Sequence, residues 1–187
     1  MRVAIFHFIA DGYGNRRVIV FNSDTGGYKR HWGAYGNTPD DSLLPVYSAL
    51  DAPSQQFLGP VHAVVIGPDE RLYVADRTGN RIQVFEKDGT FIKEALLAPM
   101  TLGNGAVWDI AISPLENFRW LFIADGSNRK IWRLDRETLQ VEDSFGQGGR
   151  QAGQFDWVHN VAVDSQGNLY TSEVNNGRRI QKFSPVR

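Results

Sequence analysis

The stretch Leu72-Tyr-Val-Ala-Asp76, followed closely by Asn80-Arg-Ile-Gln-Val-Phe85, decides the fold because the chain repeats it. Similar pairs of runs follow, and their first members end at Asp125 and at Glu173. A degenerate fourth copy near the start of the chain ends its first run at Asp11. Such internal repetition predicts an array of one small unit rather than a single irregular core.

The acidic residue that ends each first run gives the repeat length. Asp76, Asp125 and Glu173 lie 49 and 48 residues apart, and the degenerate copy lies 65 residues before Asp76 because residues 39–60 insert a long loop. Periods of about 40 to 50 residues with several short strands are typical of propeller blades. Helical repeats are the alternative, but the runs alternate and are rich in Val, Ile, Tyr and Phe, which favours strands.

The second unit shows how one blade is divided. Four strands are predicted, from Val61 to Ile66, Arg71 to Asp76, Arg81 to Glu86 and Thr90 to Ala95. The pair Asp88-Gly89 lies between the last two strands and predicts a hairpin with a type I′ turn, in which both central residues have positive φ. Four antiparallel strands make one propeller blade, with the first strand lining the central channel.

The two ends of the chain hold incomplete units. The first unit has no inner strand before its middle strand, and the last unit ends without a rim strand. The prediction is therefore an all-β fold with about three and a half four-stranded blades of a larger ring. Exposed edge strands at both ends predict self-association, because unpaired backbone groups template pairing with another chain. The expected blades span approximately 1–36, 57–98, 104–146 and 155–187, with an insertion loop at 37–56.

Composition limits the classes of partner. The chain is 22% charged with a net charge of −1, so it has no basic excess for nucleic acid, and no stretch is long enough to cross a bilayer. The apolar opening residues carry His7 and run directly into a repeat, which indicates a strand rather than a secretion signal. The absence of cysteine excludes disulfides and thiolate metal sites and leaves the compartment open.

Two of the four histidines occupy equivalent positions. His62 and His159 each lie 14 residues before the acidic residue of their unit, at the start of an inner strand, so both are expected at the channel. The unit between them places Trp108 at this position, and His7 and His31 are expected to be packing or surface residues. Two histidines are too few for a catalytic zinc ion, which usually has three protein ligands. A repeat that simply tolerates histidine at the channel mouth is the other interpretation.

A set of motifs along the chain resembles a known family in both sequence and order. The motifs are Asp11-Gly-Tyr-Gly-Asn-Arg-Arg17, His31-Trp-Gly33, Val61-His62, Val74-Ala-Asp-Arg77 and Phe155-Asp-Trp-Val-His159. Together they resemble NHL-repeat propellers, and most of all the branch related to peptidyl-alpha-hydroxyglycine alpha-amidating lyase, including its bacterial relatives. The similarity spans essentially the whole chain and corresponds to the C-terminal two-thirds of such a protein.

The resemblance implies a site. That lyase is a six-bladed propeller with a channel zinc held by three histidines, and it cleaves a hydroxyglycine-extended peptide into a peptide amide and glyoxylate. His62 and His159 match two of the zinc ligands, Tyr13 matches the proposed general base, and Arg77 matches an arginine near the reacting centre. Asn160 stands where the lyase has a calcium-binding aspartate, which weakens the case for a calcium site and makes calcium a doubtful cofactor. The third zinc histidine belongs to a blade upstream of this chain.

Two classes of function follow from these residues. The first is a binding or scaffold propeller with an incomplete lyase-like channel site that recognises a peptide or a small polar ligand. The second is a zinc-dependent lyase that is active only if the missing blades are supplied. Structural roles also remain open for the two polar candidates, because Tyr13 can be a turn aromatic and Arg77 can pair with Asp76. Metal content, and its loss on replacing His62, distinguishes the two classes.

Overall fold

The computed structural model describes residues 5–42, 44 and 46–185, and within them the chain forms four antiparallel sheets. Two 3₁₀ turns, Ala34–Gly36 and Leu115–Phe118, interrupt the connections. No helix in this part of the chain is long and apolar enough to span a membrane.

Sheet 1 contains β1 (Phe6–Asp11), β2 (Arg17–Asn22) and β3 (Tyr28–Trp32); sheet 2 contains β4 (Val61–Ile66), β5 (Leu72–Asp76), β6 (Arg81–Phe85) and β7 (Phe91–Leu96). Sheet 3 contains β8 (Asp109–Ile112), β9 (Trp120–Asp125), β10 (Lys130–Asp135) and β11 (Val141–Phe145); sheet 4 contains β12 (Val158–Val163), β13 (Leu169–Glu173) and β14 (Ile180–Phe183).

The sheets stack face to face in chain order. A separate cluster of buried apolar side chains fills each of the three spaces between neighbouring sheets. Both faces of β5 and β6 are therefore covered, and every residue of these two strands is buried. The strands nearest the axis touch in succession, β1 with β4, β4 with β8 and β8 with β12. This arrangement confirms the prediction of an all-β partial propeller.

The two terminal sheets have three strands each, and their strand register identifies the strand that is missing. Asp11 pairs with Arg17 at the end of β1 just as Asp76 pairs with Arg81 at the end of β5, so β1 corresponds to a second strand. Sheet 1 therefore lacks the inner strand within the described residues. Sheet 4 begins with an inner strand and ends at its third, so it has no rim strand in the part of the chain that the structure describes. Both irregularities match the expectation from the repeat.

The hairpin at Asp88-Gly89 forms, but the predicted turn type is wrong. Gly89 has a φ of 99°, whereas Asp88 is not among the residues with positive φ. The Gly89 amide donates to the Glu86 carbonyl at 3.0 Å, and the Glu86 amide donates to Thr90 at 2.9 Å. The loop is thus longer than a two-residue type I′ turn. A register shift between Val84 and Phe85 accompanies it, as expected when a left-handed glycine closes a longer hairpin.

The acidic residues that end the second strands of sheets 2 and 4 hold the entrance to the inner strand of the same sheet. Asp76 is fully buried and accepts hydrogen bonds from the Leu58 and Gly59 amides, both at 3.1 Å, and from Arg81 Nε at 2.9 Å. In sheet 4, Glu173 in the same way accepts from the Asp156 amide at 2.7 Å. In sheet 3, Asp125 instead accepts from the Asn128 amide at 2.9 Å, in the turn that follows β9. The repeated acid therefore fixes where β4 and β12 begin, and these two strands carry the channel histidines.

Candidate functional site

His62 and His159 lie at equivalent irregularities of the backbone. In sheet 2 the pairing of β4 with β5 shifts register on either side of His62, and in sheet 4 the pairing of β12 with β13 shifts on either side of His159. Each histidine is thus an extra, unpaired residue in its inner strand, which is the definition of a β-bulge. Bulges redirect a side chain relative to its neighbours and are frequent next to functional sites.

The two bulges bring the imidazoles together, and Trp108 completes the group. Asp109 pairs with Ala124 in sheet 3 as Ala63 pairs with Ala75 in sheet 2, so Trp108 occupies the register position of the histidines. The ring centroids of His62 and His159 are 4.8 Å apart, and the Trp108 ring lies 5.6 and 5.3 Å from them. The expectation that equivalent positions of three blades meet at the channel is met by the geometry.

His62 is held in one tautomer by the backbone of the next sheet. Its Nδ1 lies 2.5 Å from the carbonyl oxygen of Trp108, and since a carbonyl only accepts, Nδ1 carries the proton. The pKa of His62 is lowered to about 4, chiefly by burial; the Trp108 hydrogen bond opposes this effect, and the charges of Arg77 and His159 add to it. The ring is therefore neutral near pH 7, and its Nε2 carries an unprotonated lone pair.

His159 is held by side chains rather than by backbone. Its Nδ1 lies 2.8 Å from Asn160 Oδ1, and Asn160 Nδ2 donates to Asp109 Oδ2 at 3.2 Å. The carboxylate fixes which end of the Asn160 amide faces His159, so Nδ1 of His159 is again the protonated nitrogen. The Val161 amide also donates to Asp109 at 3.0 Å. Burial raises the pKa of Asp109, although these hydrogen bonds act in the opposite direction.

Tyr13 and Arg77 reach the histidines from two turns. Gly12 allows the β1–β2 turn to approach β4, because a Cβ atom there would overlap with the backbone of Val61. The Tyr13 hydroxyl then lies 3.2 Å from His62 Nε2 and donates a hydrogen bond to it. Arg77 Nη1 donates to the same hydroxyl oxygen at 3.3 Å. The Arg77 guanidinium also lies 4.5 Å from the centroid of the Trp108 ring. The four residues predicted from the sequence thus form one connected chain of contacts, from Arg77 through Tyr13 and His62 to His159.

The structural alternatives for Tyr13 and Arg77 are only partly realised. Tyr13 does lie in a turn and is 78% exposed, but its hydroxyl is bonded to the channel histidine. Asp76 forms its ion pair with Arg81 at 2.9 Å and not with Arg77. The Nε atom of Arg77 is buried and has no hydrogen-bond partner among the described residues. Arg77 is therefore not used up in an ion pair with Asp76, and it bonds Tyr13 at the channel mouth instead.

The donor set fits part of a zinc site. Two rings that bind one tetrahedral zinc ion through nitrogen have centroids about 5 Å apart, given a Zn–N distance near 2.0–2.1 Å. His62 and His159 are 4.8 Å apart, and each leaves Nε2 unprotonated. Within the described residues no group of three histidine, cysteine or acidic side chains is placed to hold a metal ion. These residues therefore fit two positions of a zinc coordination sphere and leave a third ligand to be supplied.

Sequence reasoning missed the residues that orient the two histidines. Asp109 lies 51 residues from Asn160, and neither belongs to a repeated motif, so their contact could not be read from spacing. The only available signal was that Asp109 directly follows Trp108, the register equivalent of the histidines. Gly12 was quoted only as part of a motif, although its lack of a side chain lets Tyr13 approach His62.

Comparison with known proteins finds distant relatives among the peptide-amidating enzymes. No protein-family profile matches the chain. It is 28% identical over 193 aligned positions to peptidyl-alpha-hydroxyglycine alpha-amidating lyase 1 of Drosophila melanogaster, covering 94% of this chain and 32% of the relative. It is 26% identical over 189 positions to peptidyl-glycine alpha-amidating monooxygenase B of Xenopus laevis, covering 96% of this chain and 19% of the relative. The chain thus spans a third or less of the length of these relatives.

Solved structures of similar shape support the fold. Virginiamycin B lyase from Staphylococcus aureus matches with a TM-score of 0.60 at 14% identity, covering 98% of this chain and 54% of the other. The structure of U3-55K matches with the same TM-score at 13% identity, covering 97% of this chain and 48% of the other. The chain is a partial, lyase-like β-propeller. Its assignment to the NHL class and to a bacterial branch stays a prediction.

Proposed function

We propose that this chain carries most of the channel site of a zinc-dependent lyase that cleaves the carbon–nitrogen bond of a peptidyl hydroxyglycine. The observation that carries the proposal is the connected chain of contacts from Arg77 through Tyr13 and His62 to His159 at the channel mouth. The sequence similarity to amidating lyases over 94% of the chain supports the same reaction. His62 and His159 would hold the zinc ion, with a third ligand from outside the described residues.

Tyr13 is the group placed to take a proton. Arg77 donates a hydrogen bond to the Tyr13 oxygen and so fixes its position at the channel mouth. Acting as the base, Tyr13 takes the hydroxyl proton of the substrate carbinolamide, the electron pair of that O–H bond forms the carbonyl of glyoxylate, and the carbon–nitrogen bond breaks. The departing nitrogen takes the same proton back from Tyr13 and leaves as the peptide amide. A bound zinc ion would supply Lewis acidity that lowers the pKa of the substrate hydroxyl.

Arg77 binds the carboxylate of the hydroxyglycine. Its guanidinium lies against the Trp108 ring, which holds the plane of the fork, and its buried Nε has no partner among the described residues. Arginine recognises carboxylates through two parallel N–H donors. In this assignment Tyr13 contacts the hydroxyl of the substrate hydroxyglycine, and Arg77 contacts its carboxylate.

Zinc binding tests the ligand assignment. We expect calorimetric titration of the chain with zinc to show binding that weakens at least about tenfold in His62→Ala and in His159→Ala. His31→Ala is the matched control, because His31 lies in β3 and bonds Tyr28 at 2.8 Å. Equal zinc affinity in all three variants would rule out the assignment of the channel histidines as ligands.

Glyoxylate release from a hydroxyglycine-extended peptide tests the base. We expect Tyr13→Phe to lower the rate about 100-fold or more, the usual range for removing a general base. Zinc affinity should be unchanged or higher in the same variant, because the hydroxyl and a metal ion compete for the lone pair on His62 Nε2. A rate that survives Tyr13→Phe would assign the proton transfer elsewhere.

A ligand-binding propeller without turnover is the second candidate. It is favoured by Tyr13, which is 78% exposed at the channel mouth beside the unpartnered Nε of Arg77, since an open aromatic and an arginine can bind a carboxylate without a metal ion. Under this function, Arg77→Lys weakens binding of a peptide carboxylate, and no glyoxylate is released even when zinc is saturating.

A further inference from the structure

A groove continues from the candidate site away from the two histidines. A cavity of about 270 Å³ begins at Tyr13 and Arg77 and extends past Arg16 to Leu58. A second cavity, of about 280 Å³, shares Arg16 and Leu58 and extends to Leu102. A third, of about 220 Å³, also borders Leu58. Leu58 thus borders all three cavities, and each is close to the lower end of the usual size range of ligand sites, about 300–1,000 Å³.

The wall of the groove is a built structure rather than a loose loop. Its outer side is formed by the described residues of the inserted segment, 37–42, 44 and 46–56, and Tyr47 of this segment donates to the Pro99 carbonyl at 2.7 Å. Arg16 Nη1 donates to the carbonyls of Asp40 and Ser42 at 3.1 and 2.5 Å. The insertion is therefore tied at one side to the β1–β2 turn and at the other to the segment after β7.

The base of the insertion is closed by its own side chains. Asn37 Nδ2 donates to the Gln55 carbonyl at 3.2 Å, and Gln56 Nε2 donates to the Thr38 carbonyl at 3.1 Å. The entry and exit of the loop are thus held side by side. A loop held at its base and at two points along its length can form one face of a binding groove with a defined width.

The chemistry of the groove changes along its length. Near the channel it presents the phenol of Tyr13 and the guanidinium of Arg77. Farther out it presents apolar side chains, of which Leu102 is 67% and Val46 93% exposed. Apolar side chains exposed side by side next to a polar site commonly mark the binding surface for a ligand. The expected ligand is therefore polar and acidic at one end and apolar beyond it.

We propose that this groove binds the peptide part of the substrate and selects an apolar side chain on the residue that precedes the hydroxyglycine. The proposal rests on the proposed function, because it places the hydroxyglycine at Tyr13 and Arg77. The preceding side chain then lies against Leu58, and the chain continues toward Leu102. The insertion that lengthens the first repeat is in this way a specificity element.

Peptide binding to the full chain tests the groove without requiring turnover. The probes are three fluorescein-labelled tetrapeptides that end in glycine, with phenylalanine, alanine or glutamate before it, and binding is measured by fluorescence anisotropy. We expect the phenylalanine peptide to bind at least tenfold more tightly than the other two. The C-terminal amide of the same peptide should bind about tenfold more weakly, because Arg77 loses its carboxylate. Equal affinity for all three peptides would overturn the proposal.

Two variants locate the preference. Leu58→Ser should reduce the ratio of phenylalanine to alanine affinity to about one, and Leu102→Ser should reduce it about threefold. Since Leu102 is largely exposed, its variant keeps the test valid if Leu58→Ser fails to fold. Val141→Ser, in β11, removes an apolar side chain that is 46% exposed outside the groove and should keep the full preference. An unchanged ratio in Leu102→Ser and in folded Leu58→Ser would refute the groove.

Parallel zinc titrations separate the two proposals. If His62→Ala loses zinc but the wild-type peptide preference is seen, both proposals stand. If the preference is seen and the chain binds no zinc, the groove stands and the lyase assignment fails. If zinc binds at the histidines but the three peptides bind alike, the groove fails and the lyase assignment stands.

Discussion

Two positions recur in the repeated sheets, and they are used in different ways. The strand-end acids, Asp76, Asp125 and Glu173, are alike in type and each accept hydrogen bonds from a nearby turn or loop. The channel positions, His62, Trp108 and His159, share a register but differ in type. The comparison indicates that the repeated strand-end acids stabilise the fold. The candidate site arises because different residue types occupy the same channel position in successive sheets.

The strand-end acids differ in burial, and this predicts the largest effect. The Asp76–Arg81 pair is almost fully buried, with side-chain exposures of 0% and 2%, whereas the Asp11–Arg17 pair has exposures of 27% and 26%. Arg81→Ala should lower the free energy of unfolding by about 3–5 kcal/mol, because it leaves a buried charge unpaired. Arg17→Ala should cost under about 1 kcal/mol, as exposed pairs do. Urea denaturation followed by circular dichroism gives both values.

Equal losses in the free energy of unfolding for Arg81→Ala and Arg17→Ala would contradict this prediction. They would mean that the ion pair of a buried strand-end acid and that of a partly exposed one contribute equally to stability. Arg179→Ala lies between the two cases, since Glu173 is fully buried while Arg179 is 24% exposed. Its cost should fall between those of Arg81→Ala and Arg17→Ala.

The fold could be predicted because its signals are local and repeated. Alternating runs and the spacing of the acids placed the strands of sheet 2 within a residue or so, since the pattern depends only on neighbouring residues. The type I′ turn at Asp88-Gly89 was wrong, because turn type depends on loop length and on the bulge at Phe85, and neither appears in the dipeptide. The missing inner strand of sheet 1 was predicted because the first unit can be compared with the complete repeats, which each contain that strand.

The site was only partly accessible from the sequence. Equal spacing from the strand-end acids predicted that His62 and His159 meet. The contacts that orient the rings could not be predicted in this way. Trp108 accepts from His62 through its backbone carbonyl, and Asp109 of sheet 3 accepts from Asn160 of sheet 4. Contacts of this kind depend on how neighbouring sheets are stacked. A single sequence contains the register of each strand but not the distance between sheets.

Trp108 offers the most direct test of the channel positions. If register alone decides which side chains converge, Trp108→His should place a third imidazole beside the other two and raise zinc affinity about 100-fold. Removing a buried indole should also lower stability by about 2–4 kcal/mol. Trp120→His is the matched control, because Trp120 is 8% exposed and lies away from the histidines, so it should lose stability without gaining zinc affinity. Calorimetry with zinc measures the difference between the variants.

Protonation of His62 should make stability depend on pH. Its pKa is about 4 in the folded protein and near 6.5 in an unfolded chain, so between these values the unfolded state takes up a proton that the folded state does not. The free energy of unfolding should therefore fall as the pH drops from 7 to 5. The expected loss is about 1–2 kcal/mol, after allowing for the partial exposure of the ring.

The pH effect belongs to the channel position and not to histidine in general. Measured in the presence of EDTA, His62→Gln should remove most of the difference between pH 7 and pH 5. His7→Gln is the control, because His7 is exposed on β1. If the two variants show the same dependence on pH, the burial of the His62 ring does not control its protonation.

Asn160 gives the smallest predicted effect and the finest test of how the two histidines differ. Asn160→Leu removes the link between Asp109 and His159, so the proton of His159 is free to move from Nδ1 to Nε2. Zinc affinity should fall about tenfold, the lower end of what such orienting contacts contribute. Nitrogen-15 NMR of the histidine rings should show mixed tautomers for His159 and an unchanged tautomer for His62, which is held by backbone. An Asn176→Leu control, which makes the same substitution in the exposed turn after β13, should leave both rings as they are.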